Sequence, residues 1–468
     1  MSNDNTEGAK DQRSSLERAL GLVTEVRAGE GVTALLLCLN VFLLLLAYYL
    51  IKPVRDALIV AMPSGPEYKS YMGGVIAVAL LFAVPLYSRF AQRVPRNRLV
   101  VGVTLFFASN LVLFYGLSLV PAAREWIGLI FTVWVGIFNM MVVAQAWAFA
   151  ADLYTEEQGR RLFPLVGVGA SFGSAVGSLA GVGFAESVGV YFMLLLSAIF
   201  LLGVAAVVQI IHKREVARSE ARAELAKRTA VEAGEKEAAA RIEEPSRDGA
   251  FALVFRHRYL TLIAVFSLVF TIVNSNGEYL LGKFIKAFAL ETAEAGQLPD
   301  GMALEDFISA QFSQFYLYVN IAGAVLQLFV VSRLIKSFGF RVAFLILPVV
   351  ALLDASMMAV IPALAILRIG KTVENSLDYS LNNTLRNMLW LPTTKDMKYR
   401  AKQAVDTFFI RMGDVGSAIL VAGLIGYAEL SLQVFAGVSA VLALVWLVVA
   451  WMLLKERDAR LAEREAPG

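Results

Sequence analysis

The segment LRIGKTVENSLDYSLNNTLRNMLWLP carries Lys371, Glu374, Asn375, Asp378 and Asn382 at spacings of three and four residues, with Arg386 further along. That spacing puts the first five on one face of a helix. In an otherwise apolar stretch, such a stripe either lines a hydrated surface that meets a solute or forms ion pairs that hold the helix to its neighbours. Upstream, YYLIKPVRDALIV carries an apolar run through Lys52, Pro53, Arg55 and Asp56. Proline frees a backbone carbonyl and can kink the helix there. Arginine offers a planar fork of donors suited to phosphate or carboxylate, so Arg55 either contacts an anionic solute or pairs with Asp56 or another acid. A third patch, TIVNSNGEYLLGKFIK, holds Asn274, Asn276 and Glu278, followed by Lys283 and Lys286. Glu278 could bind solute, exchange a proton or balance Arg55 or Arg386. Asn139 and Gln145, in FNMMVVAQAWAFAADLY, have amides that bond either a solute or a neighbouring helix. Asp56, Glu278 and Glu374 are the candidates for charge balance or coupling.

These groups are scattered over separate segments, which suits a binding cavity rather than a compact catalytic constellation. No nucleophile is set beside a base, and His212 and His257 are not arranged as a metal site. The sequence therefore predicts a protein that is not an enzyme and has no cofactor and no metal.

The elements that must position these residues follow from composition. Of 468 residues, 58% are hydrophobic and 17% charged, and the mean hydropathy is +0.65. A soluble chain of this length needs more polar surface, so the excess must face lipid. A net charge of +3 from 42 basic and 39 acidic residues excludes a nucleic-acid footprint. Cys38 is the single cysteine, which rules out an intrachain disulfide. About 20 apolar residues span a bilayer core, and twelve segments qualify: 32–51, 71–88, 99–119, 126–151, 162–182 and 188–211, then 260–281, 312–331, 342–359, 361–381, 404–426 and 434–454. The expected fold is an all-α polytopic membrane protein with two six-helix bundles, 32–211 and 258–454. These are flanked by a tail at 1–31, a charged linker at 212–257 and a tail at 455–468. Within the first tail, SSLERALGLVTEV could form a short amphipathic surface helix. The linker, rich in Ala, Glu, Lys and Arg, could be a solvated helix.

Basic residues cluster on alternate loops: Arg89 to Arg98, Arg160 and Arg161, Lys213 and Arg214, Arg333 to Arg341, and Lys395 to Lys402. Helix parity puts all of these on one side, with both termini, and the positive-inside rule makes that side cytoplasmic. The expected location is thus a cell inner membrane, crossed many times. Two matches a half-chain apart point to internal duplication: Ser88-Arg89 with Ser332-Arg333, and Gly173-Ser174-Ala175 with Gly416-Ser417-Ala418. Two six-helix repeats about a central cavity are the plan of an alternating-access carrier. Gly169, Gly173 and Gly177 share one face and predict close approach of another helix.

Three segments, YYLIKPVRDALIV, QAWAFAADLYTEEQGRRLFPLVGVGASFGS and YSLNNTLRNMLWLPTTKDMKYRAKQAVD, resemble those of the bacterial and plastid ATP/ADP translocase family. These are nucleotide transporters of twelve helices related in fold to the major facilitator superfamily. The resemblance implies nucleotide exchange by alternating access. It also implies that Arg55, Glu278 and Arg386 are membrane-embedded charges of the mechanism; from the residue pattern itself, Lys52, Asn139, Gln145, Asn375, Asp378 and Asn382 complete the solute-binding candidates. The family's acidic residue early in the fourth helix has no counterpart here, and Asn387 stands where an acid is usual. The expected partners are a nucleotide or other anionic small molecule, membrane lipids and, as a variant, a coupling proton, with the single chain as the working unit.

Overall fold

A computed structural model describes residues 14–20, 24–91, 93–229, 250–394 and 397–465. The first part of the N-terminal tail, the linker stretch 230–249, Lys395 and the last three residues of the C-terminal tail lie outside the described residues. Those described contain no strand. Among the described residues, ten helices are long and apolar enough to cross a membrane. One of them, Leu304–Val360, is two helices, because Gly339 at φ 76° turns the chain back on itself. A further helix, 364–388, is too polar to be counted by composition alone.

The twelve are α1 Gly31–Val60, α2 Gly65–Ala91, α3 Arg96–Ser118, α4 Pro121–Leu153, α5 Glu156–Ser187 and α6 Val190–Thr229, followed by α7 Arg258–Glu294, α8 304–338, α9 340–360, α10 364–388, α11 397–427 and α12 Leu432–Glu465. Two short helices, Ser15–Leu20 and Ala250–Arg256, precede α1 and α7. Helix α6 runs without a break into the charged segment, as far as Thr229. Helix α1 extends well past the predicted limit at 51 and carries Pro53 inside it. Arg55 and Asp56 stay in the helix because they neutralise each other. Helix α10 starts after Pro362, which cannot continue a hydrogen-bonded turn from above it.

Packing repeats between the halves. Helix α1 lies along α5 and α3 along α6, while α7 lies along α11 and α9 along α12. Across the halves α5 meets α8, and α2 meets α11. The glycine stripe of α5 accounts for the tightest seam. A methyl at Gly169 or Gly173 would overlap the carbonyl oxygen of Cys38 or Phe42, and one at Gly177 would lie 2.6 Å from that of Leu46. Between α3 and α4, the rings of Phe107, Phe114, Phe131, Trp134 and Phe138 form one buried stack. Large apolar side chains such as Phe82, Leu86, Phe106, Ile130 and Ile199 remain exposed on the outside, where lipid covers them. Wide π turns interrupt α4 at 139–143 and α10 at 378–382, so Asn139 and Asp378 each open such a turn in the matching helix of the two halves.

Candidate solute-binding site

A cavity of about 290 Å³ lies between the halves. Helix α1 contributes Lys52 and Arg55, α2 Lys69, α7 Glu278, α8 Tyr316, α10 Asn375, Asp378 and Tyr379, and α11 Arg411 and Asp414. The predicted residues Lys52, Arg55, Glu278, Asn375 and Asp378 are therefore brought together around one space.

Most of its charges are already matched. The Arg55 guanidinium donates to Asp56 Oδ1 from Nε at 3.0 Å and from Nη2 at 2.7 Å. The same oxygen pairs with Lys69 Nζ at 3.2 Å, and the Tyr316 hydroxyl donates to Asp56 Oδ2 at 2.6 Å. Asp56 is fully buried, so these donors are what allow a carboxylate to stand there. Lys69 also reaches Glu278 at 3.8 Å, and Asn375 Nδ2 donates to Glu278 Oε1 at 3.0 Å. Arg411 pairs with Asp414 at 3.0 Å, and the Ser275 hydroxyl donates to the same carboxylate.

Two lining groups have no opposite charge within ion-pair distance among the described residues. Lys52 is one. Its ammonium lies 3.9 Å from the centre of the Tyr316 ring and 5.5 Å from that of Tyr49, with the Tyr379 hydroxyl at 3.3 Å. Aromatic faces stabilise a cation without neutralising it. Asp378 is the other, its carboxylate accepting from Asn382 Nδ2 at 2.7 Å.

The remaining candidates lie elsewhere. Gln145 donates to the Tyr87 hydroxyl, joining α4 to α2. Asn139 is half-buried and does not line the cavity. Lys371 and Glu374 pair with each other at 3.1 Å, both buried, behind the cavity wall. Arg386 belongs to a second cavity of about 240 Å³ with Asn383, Asn387, Lys402 and Asp406, where Asp406 pairs with Arg386 at 3.5 Å and Lys402 at 2.5 Å. Asn276 accepts from Ser417 and donates to Ser439, so it fastens α7 to α11 and α12. No group of three or more potential metal ligands is found among the described residues.

Sequence reasoning missed Lys69, Tyr316, Tyr379, Arg411 and Asp414. Lys69 precedes the predicted start of α2 and reads as loop. Arg411 and Asp414, three apart within a predicted span, were a visible signal. The tyrosines give none, because a tyrosine in an apolar helix is ordinary.

We call the end where α1 begins and α12 stops the near end, and the opposite one the far end. The halves are tied together toward the far end. Glu67 of α2 accepts from Tyr279 at 3.0 Å and pairs with Lys283 at 2.5 Å, both on α7. The Lys286 ammonium donates to the carbonyls of Met62 and Pro63, capping the end of α1. The Val190 N–H donates to Asp306 at 2.7 Å. Near-end ion pairs such as Arg161 with Glu30, Arg96 with Asp152 and Arg341 with Asp458 join helices of one half.

Twelve membrane helices in two matching bundles, with a charged cavity between them and the halves tied together toward one end, define the secondary carrier class. A family profile described as the Major Facilitator Superfamily matches residues 35–373, well over half of the chain. The chain belongs to that superfamily. Solved structures agree on the fold. A point mutant of the nucleoside transporter NupG superposes with a TM-score of 0.63 at 12% identity, over 90% of this chain and 99% of that one. A POT family transporter in complex with 5-aminolevulinic acid gives 0.57 at 13% identity, over 91% and 96%. The human organic anion transporter MFSD10 gives 0.53 at 16%, over 91% and 100%. No curated protein matches the sequence.

Proposed function

We propose that this carrier moves a nucleotide such as ATP or ADP, or a related phosphorylated or anionic metabolite, by alternating access, in exchange for a second such solute. The observation that carries the reading is Lys52, a cation in the central cavity with tyrosines around it and no carboxylate partner among the described residues. A phosphate or carboxylate would take the place of the missing partner, and Arg55 beside it would add a fork of donors once it shifts from Asp56. The near end, where the basic loops gather, faces the cytoplasm of a cell with the carrier in its inner membrane. The single chain holds the whole cavity and works as a monomer. The resemblance of three segments to those of the ATP/ADP translocases supports the nucleotide as the solute, and Glu278 and Asp378 serve as charge-balancing groups.

The test is uptake of radiolabelled ATP and ADP into vesicles bearing the purified protein, preloaded with nucleotide or empty. Rapid uptake that requires internal nucleotide, and is weakened in Lys52→Ala at low nucleotide concentration, is the expected result. No uptake by folded protein would reject the nucleotide. A second reading, proton-linked carriage of another organic solute, is favoured by the Asp378 carboxylate, which has no cation partner among the described residues and could receive a proton or an amine.

A further inference from the structure

Behind the cavity wall lies a charged cluster that the solute does not touch. Asp354 of α9 is 8% exposed, and its Oδ1 has no hydrogen-bond partner. The carboxyl rests against the backbone of Gly370 in α10, where any side chain would overlap Oδ1. Next along α10 stands Lys371, with no exposed surface, its ammonium committed to Glu374 at 3.1 Å and to Asn274 Oδ1 of α7 at 3.0 Å. Lys371 reaches α7 over Gly277, where a Cβ would come within 2.9 Å of its chain. Glu374 is 4% exposed, and its Oε1 likewise lacks a well-formed hydrogen bond.

The charged groups that face Asp354 are Lys371 and Glu374, both of α10. From α7, Glu278 adds its charge at Lys371 and Glu374, and Asp378 of α10 adds its charge at Glu374. Along α9 the nearest charged residue is Arg341, about 20 Å away at 1.5 Å per residue. The charges of α12, from Lys455 onward, lie near its near end, where Asp458 meets Arg341. Two buried carboxyls thus accompany one buried ammonium within the membrane: Lys371 pairs with Glu374, and Asp354 has no ion-pair partner among the described residues. With all three ionised, the cluster would hold an uncompensated negative charge in a low-dielectric interior, which is unfavourable. One added proton removes that charge. We propose that Asp354, Glu374 and Lys371 form a proton-binding site whose two carboxyls together hold one proton at neutral pH. The site connects to the cavity, because Asn375, next to Glu374, donates to Glu278, so the occupancy of the cavity and of the proton site can influence each other.

Infrared difference spectroscopy of the full-length protein in lipid nanodiscs tests this without any solute, so failure of the nucleotide reading leaves the result unaffected. Wild type minus Asp354→Asn, or minus Glu374→Gln, is expected to show the carbonyl stretch of one protonated carboxyl per chain, shifted in deuterium oxide. Lys371→Met removes the cation and is expected to double that absorption, since both carboxyls then hold protons. It keeps the proposal testable if an acid variant fails to fold. A folded wild type with no such band, or a band unchanged in all three variants, would overturn the proposal.

Discussion

The Tyr316 hydroxyl of α8 donates to the Asp56 carboxylate of α1 at 2.6 Å, across the boundary between the two halves. Asp56 in turn holds Arg55 and Lys69. A single buried acid thus joins three helices and fixes the orientation of the arginine that faces the cavity. The hydrogen bond has an ionised acceptor and is worth about 1.5–3 kcal/mol. Tyr316→Phe is expected to lower thermal stability by an amount in that range, read by unfolding in detergent, while leaving the Arg55–Asp56 pair in place.

Removing the acid itself should be worse. Asp56→Ala leaves Arg55 and Lys69 without their shared partner, and breaking a buried pair from one side costs about 3–5 kcal/mol. Replacing Arg55 and Asp56 together by methionine should recover part of that loss. A double variant no more stable than Asp56→Ala alone would show that the pair is not the source of the cost.

Lys52 presents the opposite case. It has no carboxylate to leave stranded among the described residues, so Lys52→Ala should fold as wild type does. Its effect should fall on solute binding, raising the KM for labelled nucleotide about tenfold or more, or about 1.4 kcal/mol. A KM unchanged in a transporting variant would remove Lys52 from the site.

Much of the fold was legible because its physics is one-dimensional: an apolar run of the right length must span the bilayer, whatever its neighbours do. The site was legible where charge interrupts such a run, as at Arg55, Glu278 and Asp378. It was hidden where the partner came from another helix. Nothing in the sequence links Tyr316 to Asp56, 260 residues away, or marks Lys69 as part of a helix. Arg386 and Gln145 show the converse: polar residues in apolar segments whose partners, Asp406 and Tyr87, place them away from the central cavity.

The α5 seam supplies its own control. At Gly173 a methyl would overlap the Phe42 carbonyl, whereas at Gly167 it would meet nothing within 4 Å. Gly173→Ala is expected to destabilise by about 1–3 kcal/mol. Gly167→Ala should be neutral or slightly stabilising, since alanine favours helix over glycine. Comparing the two melting curves separates packing from helix propensity.

Outside the membrane, Glu30 at the start of α1 accepts two donors from Arg161 and one from the Arg27 N–H. Partial burial opposes its ionisation, but these donors prevail and hold its carboxyl below the usual glutamate range. A carboxyl lowered in the folded state adds stability above its unfolded value of about 4.3, and that stability is lost as pH falls through the lower folded value. Glu30→Gln should therefore be less stable than wild type at pH 7, by about 1 kcal/mol or less. The difference should shrink on acidification below pH 4, and one that persists there would assign the effect to shape rather than charge.

The glycine seam also has a mechanical consequence. With backbone set directly on backbone, α1 and α5 have no side-chain cushion between them and form a single stiff lever. On its far flank that lever bears on α8, where Asn320 holds Ser178 and Gly181 accommodates Ser313. A small rotation of α1 is therefore delivered through α5 into the opposite bundle, with little slack to absorb it.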